Sequence, residues 1–443
     1  MPKEDLEERR IVLPGFGKLV KQKRKGRTGF KGTPNYQLEV SSTDGISSVR
    51  FHDSGNTFTL DDLYFQSGPG VKITLLPVPP DNTYLISSTP SMPVISAKAD
   101  IIGVYPDPTA KTHFTWTATL TTVDGSGDVV DLSPWIDNKN NKTTGEATYT
   151  VQFKPGTIIV GGKLTLKASA TTADGTTLTG QTPSNLMIRG TPGTPAQGDL
   201  LAYIAASVSK GISSLSGSDV ADALERIACQ ESGQVQFNNL GDPKVSPDNG
   251  VGVFQITKTT KCGDGAFDSS DAGCVNAIFS WKVNVDRAVD NFTEKVKASK
   301  NYPDNLANNA VYQDYIKSFI NPARAKNKLG PIDPTGVPKL AAVGILGTTD
   351  PATGVPNQLL EDAIRGYNGY GAGTLILHQN YDTGMYIHEF VPDENFLLTI
   401  PDADLKSLQK NPRFWTRFPA GSRQGPGDHK YIGNVTAKTP DCE

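Results

Sequence analysis

One change of hydrophobic period divides this chain. In residues 93–190 the apolar positions alternate: Phe114, Trp116, Ala118 and Leu120 are separated by threonines. The same alternation runs through Ala147, Tyr149, Val151 and Phe153, and through Leu164, Leu166, Ala168 and Ala170. A period of two puts one face of a strand in a core and the other in water. Asp124-Gly125 and Asp174-Gly175 supply hairpin turns. About seven short strands in roughly 100 residues predict an immunoglobulin-like sandwich. Beyond residue 199 the period becomes 3.6, in segments such as 200–210, 276–299, 309–320, 337–346 and 356–368. A mostly α domain is therefore expected over 200–443. Between the two patterns, residues 191–199 are rich in Pro, Gly and Thr and read as a linker.

The N-terminal side is less regular. Residues 35–92 hold short β-like runs such as YQLEV and VKITLL, a small β-rich region. Residues 1–34 read as a basic tail, with Lys18, Lys21, Lys23, Arg24, Lys25, Arg27 and Lys31 unbroken by any acid. Such a run is either a solvated tail or an attachment for an acidic partner or anionic surface. It has no apolar core, so no conventional export signal is expected. At 443 residues the chain is long enough for about three domains. A net charge of −3, from 43 basic and 46 acidic residues, argues against a nucleic-acid binder. No apolar run of 18 residues is present, so no membrane span is expected.

The helical half contains one anomaly. Val220, Leu224 and Ile227 form an apolar stripe, and Ser218 and Asp219 stand where an N-cap is expected. Eleven residues after Val220, within ~20° of the same face, stands Glu231. Ser232-Gly233 ends the helix directly behind it. An acid on a desolvated stripe resists ionisation and keeps its proton to higher pH. Next comes LGDPKVSPDNGVGVFQIT, residues 240–257. Asp248-Asn249-Gly250 predicts a tight turn, and VGVFQI predicts a strand, together a small β-hairpin. Gly250 and Gly252 leave room beside Gln255, as a groove floor needs. Tyr367 and Asn368 close a later helix.

These pieces carry a resemblance. Glu231-Ser232, then Gly250, Gly252 and Gln255, then Tyr367-Asn368 resembles the lysozyme-like lytic transglycosylases and goose-type lysozymes, over roughly residues 200–400. The resemblance implies a lysozyme-like domain that cleaves the β-1,4 bond between N-acetylmuramic acid and N-acetylglucosamine in bacterial peptidoglycan. Glu231 would be the general acid. Gln255, Tyr367 and Asn368 would line the groove with Ser232 and Asp248. Gly241-Asp242 matches one goose-type aspartate, so Asp242 is a candidate to hold the attacking water. The other aspartate position is Thr257, which leaves hydrolysis and intramolecular transglycosylation both open.

No cofactor or metal is expected. The four cysteines fit no CxxC pattern, and IHEF at 387–390 lacks the second histidine of a zinc helix. Asp264, Asp268 and Asp271 do not follow calcium-loop spacing. Cys262 and Cys274 bracket a loop short enough for a disulfide, whereas Cys229 reads as a buried thiol. The domain style suits a protein injected into the periplasm of target bacteria, either a type VI secretion effector or a phage-associated wall-degrading protein. A secretion-apparatus component and a cognate immunity protein are the partners that reading implies. An inactive glycan-binding structural protein is the rival.

Overall fold

A computed structural model describes residues 20–23, 36–39, 70–102, 113–137, 147–154, 157–172, 175–257, 262, 265–336, 339, 342, 346, 357–368, 376–379, 386–389, 431–439 and 442. Asp174, Asp264, most of the basic tail and most of the helix expected over 337–346 lie outside them. The architecture is a β-rich N-terminal part followed by a helical C-terminal region. Among the described residues no helix is long and apolar enough to cross a membrane.

Strands β1 (Val20–Lys23) and β2 (Tyr36–Glu39) pair antiparallel, so a strand lies within the stretch expected as a tail. Nine further strands build two sheets. They are β3 (Gly70–Leu76), β4 (Thr83–Ile86), β5 (Ser96–Ile102), β6 (Phe114–Val123), β7 (Val129–Asp131), β8 (Thr148–Thr150), β9 (Gly162–Thr171), β10 (Thr177–Gln181) and β11 (Met187–Gly190). The larger sheet runs β4-β11-β9-β6-β7, with β10 also on β9; the smaller runs β3-β5-β8. Only β4 and β11 pair parallel within the larger sheet. Strands β3 and β4, ahead of the boundary expected at residue 93, belong to these sheets as well.

Alternation does the folding here. In β6, Phe114, Trp116, Ala118 and Leu120 are buried while the threonines between them face out. The two sheets share a core, in which Trp116 of β6 stacks on Tyr149 of β8 with ring centroids 5.2 Å apart. Burying Trp116 almost completely makes it an anchor of this core, since losing such a ring costs about 3–5 kcal/mol.

The helical region comprises α1 (Gln197–Ser207), α2 (Gly217–Ser232), α3 (Ala272–Phe279), α4 (Trp281–Ala307), α5 (Ala310–Tyr315), α6 (Asn321–Lys326), α7 (Gln358–Tyr367) and α8 (Tyr431–Thr436). A second β pair, β12 (Ile376–Gln379) with β13 (Tyr386–Glu389), lies between the last two helices. The apolar text over 276–299 is two helices rather than one. Ser280 is extended (φ −122°, ψ 107°), and its hydroxyl accepts from Val283 N–H at the start of α4.

The two parts are joined tightly. Thr194 is buried and its carbonyl accepts from Gln236 N–H, so the 191–199 segment is anchored at that point, with most of its other residues exposed. Trp281 Nε1 donates to Ser88 O at 2.8 Å, and Ile159 N–H donates to Asn276 Oδ1 at 3.0 Å. Gly190 needs to be glycine, because a Cβ there would sit 2.3 Å from the Phe237 ring. One apolar cluster runs through both parts.

A candidate active-site cleft

Helix α2 delivers the acid. Val220, Leu224 and Ile227 are fully buried, and the stripe they form ends at half-buried Glu231. The N-cap is Ser216, not Ser218 or Asp219: Ser216 Oγ accepts from Asp219 N–H at 3.1 Å, so the helix starts at Gly217. Its C-terminus stops where expected. Gly233 takes the left-handed conformation (φ +68°), with Gly233 N–H on Cys229 O and Gln234 N–H on Ala228 O. Lys244 donates its ammonium to the Ser232 carbonyl.

The chain then builds a wall from irregular backbone. Residues 251–256 form a tight turn closed by a Val251–Ile256 bridge, not the expected strand. Left-handed Gly252 (φ +71°) and Gln255 (φ +46°) reverse it too sharply for a ladder. Two buried amides replace the missing ladder bonds. Gln236 accepts from Val253 N–H at 3.2 Å and donates to Ala277 O and Ile278 O. Asn284 accepts from Phe254 N–H at 3.0 Å and donates to Val251 O and Ala277 O. These amides press on Gly252, where a Cβ would lie 2.4 Å from Gln236 Oε1. Gly252 thus serves internal packing rather than ligand approach. Gln255 is held by its own amide, which donates to Gly252 O at 2.8 Å.

Around this wall lies a cleft of about 500 Å³. The residues expected from sequence that line it are Glu231, Asp248, Gln255, Tyr367 and Asn368. Ser246, Ile256, Thr257, Asn291 and Lys295 complete it. Tyr367, at the end of α7, donates its hydroxyl to Phe254 O at 3.1 Å and so braces the turn from the side. Asn368 is the C-cap of the same helix.

Two expected site residues stand elsewhere. Asp242 forms an ion pair with Arg189 at 2.9 Å, at the junction with β11, and does not line the cleft. Its neighbour Gly241 accepts from Gly190 N–H at 2.8 Å, which fixes that loop on the sheet. Ser232 is buried, with its hydroxyl donating to Ala228 O and accepting from Val235 N–H. Both are structural.

Tyr431 was not foreseen. It lies on α8, 200 residues beyond Glu231, and donates its hydroxyl to Glu231 Oε1. Asn291 and Lys295 were also missed; both read as ordinary polar positions of an amphipathic helix. The N-terminal part contributes as well. Gly125, in the turn between β6 and β7, donates its N–H to Asn249 Oδ1 at 2.7 Å. A Cβ at Gly125 would fall 2.1 Å from Ser246 O, so the β turn sits directly against the loop that carries Asp248.

The electrostatics centre on one acid. Burial pushes the Glu231 carboxyl above its usual range; Tyr431's hydrogen bond pulls it back, and the Asp248 charge raises it again. Burial raises the phenols of Tyr367 and Tyr431 well above theirs, and the nearby Glu231 charge adds to this. Burial lowers Lys295. No protein-family model, curated protein or solved structure matches this chain.

The cysteines pair completely. Cys262 and Cys274 form the expected disulfide. Cys229 is not a free thiol; it is bonded to Cys442. That bond, Arg226 Nη1 on the Thr436 and Lys438 carbonyls, and Tyr431 on Glu231 all strap the C-terminal segment onto α2. A pairing across 213 residues leaves no local spacing signal.

Proposed function

We propose that this protein is a peptidoglycan-cleaving muramidase with Glu231 as its general acid. One observation carries the reading: a burial-raised carboxylic acid lies in a polar cleft, with one oxygen occupied by a tyrosine hydroxyl. Glycoside cleavage needs a protonated acid to deliver a proton to the leaving oxygen as an oxocarbenium-like centre develops. Tyr431 donates to Oε1, which leaves Oε2 to hold the proton and pass it to the glycosidic oxygen. Gln255, Asn291 and Asn368 supply amide groups of the kind that orient sugar hydroxyls and acetamides. The immunoglobulin-like and lysozyme-like readings of the two parts, and the injected, periplasm-directed role, belong to this same proposal.

A second reading concerns the step after protonation. Asp242 is held by Arg189 outside the cleft, so Asp248 is the remaining candidate to activate water. Asp248 is solvent-exposed and hydrogen-bonded to Ser246 Oγ. If water attacks, products carry reducing ends. If the muramic 6-hydroxyl attacks instead, no second carboxylate is needed, because Glu231, having given up its proton to the leaving oxygen, takes the hydroxyl proton, and the ends are 1,6-anhydro. Mass spectrometry of fragments released from purified sacculi decides between them. Reducing ends, lost in Asp248→Asn, support hydrolysis. Anhydro ends insensitive to Asp248→Asn support transglycosylation. Release of peptides without glycan cleavage would overturn both.

A further inference from the structure

Lys295 is a cleft residue for which the reaction above has no use. It lies on α4, four residues beyond Asn291 and therefore on the same helical face. Both side chains line the cleft that holds Glu231. A helical lysine ordinarily carries its ammonium out to water along a flexible stem. Lys297 and Lys300, on the same helix, do so and are exposed, and Lys297 pairs with Glu294 at 3.0 Å. Lys295 is half-buried instead, and among the described residues it forms no ion pair. Burial is the cause that acts on its charge and lowers its proton affinity, and no carboxylate among the described residues restores it. A cation partly withdrawn from water without a partner costs free energy that an incoming anion recovers.

The chemistry of that anion follows from the cleft. A neutral polymer of N-acetylglucosamine offers only hydroxyls and acetamides. A muramic strand adds carboxylates: the lactyl carboxylate where the peptide is absent, or the side-chain and terminal carboxylates of a stem peptide where it is present. Resting on the glycan-cleaving reading of this cleft, we propose that Lys295 binds a carboxylate of the glycan strand. It thereby selects carboxylate-bearing strands over neutral ones. It is a specificity residue; proton transfer stays with Glu231.

Binding tests this separately from cleavage. Calorimetry would use the full chain carrying Glu231→Gln, with and without Lys295→Gln or Lys295→Arg. Three ligands are titrated: peptide-free muramic strands, strands bearing stem peptides, and neutral N-acetylglucosamine oligomers. The expected result is about 10–100-fold weaker binding of a carboxylate-bearing strand on Lys295→Gln. Lys295→Arg keeps most of the affinity, and the neutral oligomers show no change. Loss confined to peptide-free strands assigns the lactyl carboxylate; loss confined to peptide-bearing strands assigns the stem peptide. Equal losses on charged and neutral ligands, or no change on any, overturn the proposal. Failure of the muramidase reading would show differently, as strands that the wild type binds, with Lys295 contributing, but does not cut.

Discussion

The β-rich part and the helical part solve the same problem, satisfying buried backbone, in opposite ways. Strands β6 and β9 hand their N–H and C=O groups to a ladder, so their side chains need only alternate. The buried Thr172 and Thr182 there each bond one backbone group, Thr176 O and Leu166 N–H. Beside the cleft there is no ladder. Left-handed residues crowd the chain at Gly233, Gln234, Gly241, Asn249, Gly252 and Gln255. Buried Gln236 and Asn284 supply the bonds that a sheet would have made. Left-handed backbone and buried polar groups are costly, and they concentrate where function needs a shape that regular structure cannot give.

That contrast can be broken, first and with the largest effect, at Trp116. Trp116→Ala should destabilise by about 3–5 kcal/mol in a denaturant titration, while turnover per folded molecule changes little. A parallel collapse of turnover would mean that the β core shapes the cleft directly. Gln236→Ala should cost about 3 kcal/mol, because it takes the amide partner from the Val253 N–H and the Ile278 carbonyl, while Ala277 O keeps Asn284. Unlike Trp116→Ala, it should also lower turnover, since the turn bearing Gln255 loosens; unchanged turnover would sever buried polarity from function.

Gly125→Ala sharpens the comparison from the other side. It sits in the β-rich part, yet its new methyl must displace the loop of Ser246 and Asp248. Turnover should fall by roughly tenfold, as small misplacements do, with the thermal midpoint little changed. A fall in the midpoint at full turnover would make the contact merely structural.

Two smaller effects follow from the raised acid. A carboxyl whose folded pKa lies above its unfolded value makes the folded state bind the extra proton. The penalty is absent below the unfolded value and grows as pH rises through the folded one. Glu231→Gln removes it, so the variant should melt about 2–4 °C higher at pH 8 and match the wild type near pH 4. Tyr431→Phe removes the bond that holds the Glu231 pKa down. The alkaline limb of the activity profile should therefore move to higher pH, and a shift to lower pH would contradict the hydrogen-bond geometry.

How much could be read in advance follows the same division. Alternation from Phe114 to Leu120 specified a strand, its buried face and its pairing partner class, because ladder and core demand the same period. The stripe from Val220 to Glu231 likewise placed the acid at a desolvated helix end. Legibility failed where bonding is long-range or the backbone is special. VGVFQI has strand composition, but Gly252 and Gln255 turn left-handed under two amides that come from 15 or more residues away. Asp242 fitted a motif, yet Arg189 from a distant strand claims it. Tyr431 and Cys442 reach α2 from the end of the chain, a contact that no local pattern encodes.

The most direct test of the account is the rate at which soluble glycan fragments leave purified sacculi, compared for the wild type and Glu231→Gln at equal folded concentration. Removing a general acid should slow release by roughly 10²–10⁴-fold, while the variant melts no lower than the wild type. Equal rates from the two proteins would contradict it and leave Glu231 as a buried acid with some other task.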